Sequence, residues 1–243
     1  MKNKKKSVLI LGGSSDIGVE VVKNFLQLEW KITAHFFKNK KKLEVLRKNS
    51  KDLKIIKSNF LNYNNLNVEK LMVKKFKDKY DSIINLVGYV DNKGFENTNL
   101  TSILRSLTVN ALLPILIEKM QVKKMLSQKW GRILNCSSIG VKFGGGINSY
   151  NYCLSKHCLE FIPSNYKNWA KRNVFINNLR IGVTNTKIHK KMKRQKLKMK
   201  KRLKLIPANR MAEPKEISAY IVSLVTESNS YMTGQTLTVS GGE

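Results

Sequence analysis

Residues 7–11, Ser-Val-Leu-Ile-Leu, form a short apolar run that gives way at once to Gly12-Gly13-Ser14-Ser15-Asp16-Ile17-Gly18. From residue 19 to 28 the apolar side chains Val21, Val22, Phe25 and Leu26 then recur at helical spacing. A strand apolar on both sides is buried on both faces, as in a parallel sheet. When such a strand ends in glycines and turns directly into a helix, the helix's first unpaired N–H groups face whatever lies over the turn. A pyrophosphate suits that place. The chain therefore opens like half of a dinucleotide-binding unit.

The rest of the chain keeps the alternation. Strands are expected at 31–37, 53–58, 82–86, 131–138, 174–180 and 233–239, with helices at 66–76, at 100–126 and from Pro214 onward. No internal repeat or linker interrupts the pattern. The expectation is an α/β fold, one doubly wound parallel sheet with helices on both faces (a Rossmann fold), in a single domain covering 1–243. A length of 243 residues is enough for the sizeable core this needs. The longest apolar runs, at 8–11 and 111–117, fall far short of the roughly 20 residues a bilayer requires, so no membrane span is expected. The basic amino end runs straight into glycines, unlike a secretion signal. Cys136, Cys153 and Cys158 lack metal-ligand spacing, so no metal site and a reducing, cytoplasmic location are expected.

Lys and Arg number 46 against 16 Asp and Glu, a formal charge of +30. Such a balance raises the question of nucleic acid. Yet most lysines are spread through the whole chain alongside many asparagines, a pairing that AT-rich coding DNA produces. Nucleic acid is therefore not the expected partner.

The chemistry is read around Tyr152 and Lys156. Four apart on a helix, they share one face. A free phenol has a pKa of about 10, so holding it as phenolate at neutral pH costs about 4 kcal/mol. A neighbouring ammonium recovers part of that. Tyr152 is thus expected to exchange a proton with a substrate oxygen that the Ser138 hydroxyl also binds. Asn110, polar within an apolar helical stretch, needs a buried partner. Tyr150 has no lysine four residues on, and His157 reads as structural.

Gly12-x-x-x-Asp16-Ile17-Gly18, Asn85-Leu86-Val87-Gly88, Asn110, Ser138 and Tyr152-x-x-x-Lys156 resemble, in order and spacing, the motifs of the short-chain dehydrogenase/reductase family. The similarity runs from Val8 to Gly242. The resemblance implies interconversion of a carbonyl and an alcohol by hydride transfer, with Tyr152 as acid/base. Lys156 would touch the nicotinamide ribose, Ser138 orient the substrate oxygen, and Asn110 anchor a proton-relay water. Gly12, Ser14, Ser15, Asp16, Ile17 and Gly18 would form the cofactor turn. Asn59 and Phe60 would adjoin the adenine, Asn85 and Gly88 would line the cleft, and Gly182, Val183 and Thr186 would lie by the nicotinamide.

Two positions depart from the family pattern. Asp16 stands where the family usually has glycine, and there it is expected to cap the helix while bringing negative charge near a pyrophosphate. Ile181 replaces the usual proline. No acid lies between Trp30 and Leu43 to hold a ribose 2′-OH, whereas Lys38, Lys40, Lys41 and Lys42 do, so NADP(H) is favoured over NAD(H), with Lys38 as the expected contact. Lys40 to Lys42 are expected to open a solvated helix.

The pattern is most similar to 3-oxoacyl-[acyl-carrier-protein] reductases, and the resemblance implies a homotetramer packed through the helices carrying Asn110 and Tyr152. Residues 187–206 correspond to a substrate lid, basic enough to favour an acidic or carrier-bound carbonyl substrate. A reductase of a sugar or small ketone remains open. So does a catalytically silent dinucleotide-binding regulator, suggested by Asp16 and Ile181.

Overall fold

The computed structural model describes residues 5–62, 67–187 and 196–243. Strand β1 (Ser7–Leu11) leads into helix α1 (Asp16–Gln27), followed by β2 (Lys31–Phe36), α2 (Lys41–Lys48), β3 (Leu53–Lys57), α3 (Val68–Lys75) and β4 (Ser82–Asn85). The second half carries α4 (Leu100–Leu107), α5 (Leu113–Gln128), β5 (Gly131–Ser138), α6 (Tyr150–Leu159), α7 (Tyr166–Ala170), β6 (Val174–Ile181), α8 (Lys196–Leu203), α9 (Pro214–Val225) and β7 (Thr236–Val239). Among the described residues seven strands pair in the order β3-β2-β1-β4-β5-β6-β7, each parallel to its neighbours.

Strand β1 shows why the sheet has helices on both faces. Val8 and Ile10 join a core with Val22, Phe25 and Ile221 from α1 and α9, while Leu9 and Leu11 join a second core with Ile83, Ile117 and Met125. Side chains alternate across a strand, so four consecutive apolar residues feed two cores only if both faces are covered. The strand order reverses at β1, which pairs with β2 on one side and β4 on the other. That switch point opens a crevice beyond the carboxyl ends of the strands.

The expected strands and helices are all present, with shifted ends. The last strand begins at Thr236, because Gly234 takes a positive φ of 74° in the turn before it and Thr233 is occupied as acceptor of the Ile176 N–H at 3.1 Å. The helix expected from residue 66 starts at Val68; positions 63–66 lie outside the described residues. Of the expected lid, 188–195 also lie outside them. The helix expected over 100–126 is a 29-residue rod, Leu100–Gln128, broken by a π-helical turn at Thr108–Leu112. The rod is long and apolar enough to cross a bilayer by length and composition, contrary to the expectation from runs of apolar residues alone. Its Val109, Leu113, Ile117 and Met125 nevertheless pack in the core beneath the sheet.

The same rod buries a carboxyl group. Glu118 is 6% exposed, and burial pushes its pKa from 4.5 up to about 8, although Asn135 on β5 opposes the rise. The folded chain thus holds a proton that the unfolded chain releases near pH 4.5. Its contribution to stability is full below that value and is lost as pH rises toward 8, at up to about 1.4 kcal/mol per pH unit. Glu118→Gln is expected to flatten the stability profile across this window and to raise stability at pH 8. Urea midpoints measured from pH 5 to 8 check this, and a slope unchanged by the substitution would contradict it.

Candidate active site

At the end of β1, Gly12 has φ of 80°, and a Cβ there would stand 2.8 Å from the Leu86 backbone. Glycine alone allows both the turn and this close approach to β4. Ser15 caps α1: its hydroxyl accepts the Gly18 N–H at 3.0 Å. The cap expected from Asp16 is therefore supplied by its neighbour, because Ser15 has the extended backbone a cap requires while Asp16 is already helical. Gly18 lies inside the helix, where a Cβ would meet Gly12 O at 2.7 Å; it packs helix against turn and does not line the cavity.

His35 is a participant the sequence reading passed over. Its Nδ1 accepts the Gly12 N–H at 3.2 Å, which leaves the proton on Nε2 to donate to Ser58 O at 3.0 Å. The ring stacks on Phe60 with centroids 4.5 Å apart. Burial holds its pKa down at about 4, so the imidazole is neutral. One side chain thereby ties the glycine turn to the loop after β3. The one ionisable residue in the interior of β2 is the signal for it in the sequence.

A cavity of about 550 Å³ runs from this turn across the switch point. Gly12, Ser14, Ser15, Asp16 and Ile17 form one wall, and Lys38, Asn59 and Phe60 close the far end. Gly88, Ser138, Tyr152, Lys156, Gly182 and Thr186 line the other end. Besides Gly18, three expected residues do not line it. Asn85 is fully buried at the end of β4, where its Oδ1 accepts the Val87 N–H at 3.2 Å. Val183 is buried, and its carbonyl accepts the Ala212 N–H at 3.0 Å. Asn110 lies behind the wall.

Asn110 sits on the π-helical turn, where the extra residue rotates its side chain toward α6 and the loop after β4. Its Oδ1 accepts the Tyr89 N–H at 2.7 Å, and its Nδ2 donates to Tyr89 O at 2.9 Å and Ser155 Oγ at 2.8 Å. This side chain is already engaged, so any water anchored by Asn110 falls to its backbone carbonyl. The α-helical donor for that carbonyl would be residue 114, a proline without an N–H.

Lys156, 2% exposed, donates to Val87 O at 2.8 Å and Cys136 O at 2.6 Å, just beyond the ends of β4 and within β5. Burial brings its pKa down to about 8. Tyr152 keeps part of its surface toward the cleft, which Ser138 also lines. Burial pushes the Tyr152 phenol well above its ordinary value; the nearby cysteines add to the rise and Ser138 opposes it. The acidified phenol expected from Lys156 is thus not found. The ammonium's positive charge is taken up by two carbonyl dipoles, and the phenol is held in its neutral form. Ser138 Oγ also accepts the Gly140 N–H at 3.2 Å.

The remaining expectations divide cleanly. Tyr150 packs edge-on against Phe95 at 5.0 Å, and His157 is exposed beside Glu160. Lys38 reaches the cavity, Lys40 pairs with Glu44 at 3.1 Å, and α2 begins at Lys41. Lys42, expected to be solvated, reaches Asp16 Oδ1 at 3.0 Å. Ile181 ends β6 opposite Ser138 and lines the cavity. Gly144 and Gly145, in the loop between Ser138 and Tyr152, both have positive φ, 67° and 89°. No group of three metal-binding side chains occurs among the described residues.

The residues present fit a dinucleotide. A helix start, a glycine turn and a lysine line the cavity together, and the Ser137 hydroxyl in its wall is buried without a partner.

A family model described as enoyl-(acyl carrier protein) reductase matches residues 12–243. The 3-oxoacyl-[acyl-carrier-protein] reductase of Aquifex aeolicus (strain VF5) is 31% identical over 189 residues, 77% of this chain and 75% of that one. The acetoacetyl-CoA reductase of Acinetobacter sp. (strain RA3849) is 26% identical over 99% of this chain and 98% of its own length. Among solved structures, a 3-oxoacyl (acyl-carrier-protein) reductase from Agrobacterium tumefaciens C58 with NADP bound superposes with a TM-score of 0.86 at 19% identity, covering 98% of this chain and 94% of that one, a likeness of fold. Fold, switch-point cavity and the match over residues 12–243 together place this chain in the short-chain dehydrogenase/reductase family of oxidoreductases.

Proposed function

We propose that this chain is an NADP(H)-dependent reductase that converts a carbonyl to an alcohol, with a 3-oxoacyl thioester as substrate. The observation that carries the reading is the gathering of Ser138, Tyr152 and Lys156 at one end of a cavity whose other end holds the glycine turn and Lys38. The match to 3-oxoacyl-carrier and acetoacetyl-CoA reductases supports the substrate class.

Gly12, Ser14, Ser15 and Ile17 would hold the pyrophosphate, Lys38 the 2′-phosphate, Asn59 and Phe60 the adenine end, and Gly88, Lys156, Gly182 and Thr186 the nicotinamide half. Asn85, Gly18 and Val183 support that wall from behind. The bound cofactor would supply the hydride.

The chain's own residues manage the oxygen. Ser138 and Tyr152 bind the carbonyl oxygen, and both hydroxyls stabilise the negative charge that grows on it. Tyr152, raised by burial and so protonated at neutral pH, then gives up its proton. Lys156, with a pKa near 8, is mostly charged at pH 7 and favours the phenolate left behind. The Asn110 side chain fixes Ser155 beside that lysine, and its backbone carbonyl is the anchor for a relay water.

The surplus of cations supports an anionic, carrier-linked substrate for a single domain spanning 1–243. Exposed Leu100, Leu104 and Leu112 on the Asn110 rod support a homotetramer packed through that rod and α6, in the cytoplasm. Nucleic acid is not part of this reading.

Tyr152→Phe removes the proton donor and keeps the ring. Turnover of NADPH with acetoacetyl thioesters is expected to fall by about 10²–10⁴ while NADPH affinity stays within about twofold. Turnover retained by this variant would sink the mechanism. A silent regulator would instead bind NADPH without turnover in the unaltered chain, against a panel of ketones, sugars and thioesters. Lys38→Asp is expected to weaken NADPH by more than tenfold and leave NADH nearly unchanged, since only the former has a 2′-phosphate; a ratio of dissociation constants that does not move excludes Lys38 as the contact. Light scattering is expected to give four times the chain mass, and a monomer would remove the tetramer from this account.

A further inference from the structure

We propose that Lys42 assists cofactor binding without touching the cofactor, by cancelling the charge that Asp16 brings into the glycine-rich turn. The proposal rests on the dinucleotide reading above and names the residue that makes an aspartate tolerable in this turn.

Asp16 is the first residue of α1, beside the N–H groups that a pyrophosphate would approach. A bare carboxylate there would repel two phosphates, and repulsion between like charges a few ångströms apart near a protein surface is strong. In this chain both carboxylate oxygens are occupied. Oδ1 takes the Lys42 ammonium at 3.0 Å, and Oδ2 takes the Lys187 N–H at 2.8 Å. Burial opposes ionisation of Asp16, but these two hydrogen bonds and the charges of both lysines outweigh it and leave the carboxyl below its ordinary range.

The geometry separates Lys42 from the cofactor. The Asp16 carboxylate stands in a wall shared by the cofactor cleft and an outer cavity of about 640 Å³. Lys42 lines the outer cavity and not the cleft; Lys38 lines the cleft and not the outer cavity. Neighbouring lysines therefore serve different ends: Lys38 faces the ligand, Lys40 pairs with Glu44 within the helix region, and Lys42 crosses to α1. An ammonium arriving from the outside compensates the carboxylate while leaving the cleft side open.

A double-mutant cycle tests this on the full chain. NADPH and NADH dissociation constants are measured by titration for the unaltered protein, Lys42→Ala, Asp16→Asn and the pair, with unfolding midpoints taken without nucleotide to confirm that each variant folds. Lys42→Ala is expected to weaken both nucleotides equally, by about tenfold at low salt and less at high salt, because both carry the pyrophosphate. In the Asp16→Asn background the same change is expected to cost less than about twofold. Equal losses in both backgrounds, or a loss confined to NADPH, would mean that Lys42 contacts the cofactor directly and would overturn the proposal. An unaltered affinity in Lys42→Ala would overturn it as well. Failure of the unaltered protein to bind either nucleotide refutes the dinucleotide reading itself, and this proposal with it.

Discussion

The whole arrangement depends on β1 having no face open to water. Its residues alternate between two cores, so the chain must lay helices on both sides of the sheet. With β2 and β4 on either side of it, the strand order turns at this point. The crevice that results is a consequence of connectivity, and any ligand-binding loop at the strand ends opens into it. Gly12 is forced by the same geometry, since the backbone leaving β1 must pass within contact of the backbone leaving β4. His35 then fixes the turn from the β2 side by accepting the Gly12 N–H. Its low pKa matters here: a protonated imidazole has no lone pair for that bond.

The second constraint is electrostatic. A lysine that is 2% exposed would be costly to bury as a cation without partners. Lys156 is held by two carbonyls whose strands have already ended or are ending, so their acceptors are not fully used by the sheet. The ammonium is thereby kept at the cleft with a pKa close to working pH, which suits a group that shares protons. The proposed transfer of a proton to the substrate oxygen draws on this neutral phenol beside Ser138 and on the buried ammonium next to it. The π-helical turn belongs to the same construction. It lets one asparagine grip Tyr89 on one side and Ser155 on the other, joining the loop after β4 to the helix that carries Tyr152 and Lys156.

Periodicity made the fold legible, because a doubly buried strand and an amphipathic helix leave different spacing in the sequence. Order and spacing of the motifs brought Ser138, Tyr152 and Lys156 to one wall. What could not be read was which partner each polar group takes. Lys156 shares a helix face with Tyr152, yet the sequence does not say that two carbonyls from other strands engage it first. Asp16 looked like a cap because cap residues are defined by type, whereas the actual cap is decided by which residue has extended backbone, and that is Ser15. Lys42 reads as solvated in any local pattern; its partner lies 26 positions away. The π-helical turn has no sequence period of its own to betray it.

The surplus of 30 positive charges ties these points together. Acids are scarce, and many of those described are matched with a cation: Asp52 with Lys5, Asp78 with Lys54, Glu160 with Arg180, Glu216 with Arg210 and Asp16 with Lys42. The exposed ones among these pairs contribute little to stability, typically well under 1 kcal/mol. Their effect is to leave the remaining lysines uncompensated, so the molecule presents a positive field over most of its surface. Such a field repels the chain from itself and draws in anions, more so at low ionic strength. In a chain of this charge a carboxylate at the cofactor turn has cations within reach, and a dinucleotide and an acyl carrier are both anions. The charge therefore bears on encounter with ligands more than on the fold, which rests on the two apolar cores either side of β1.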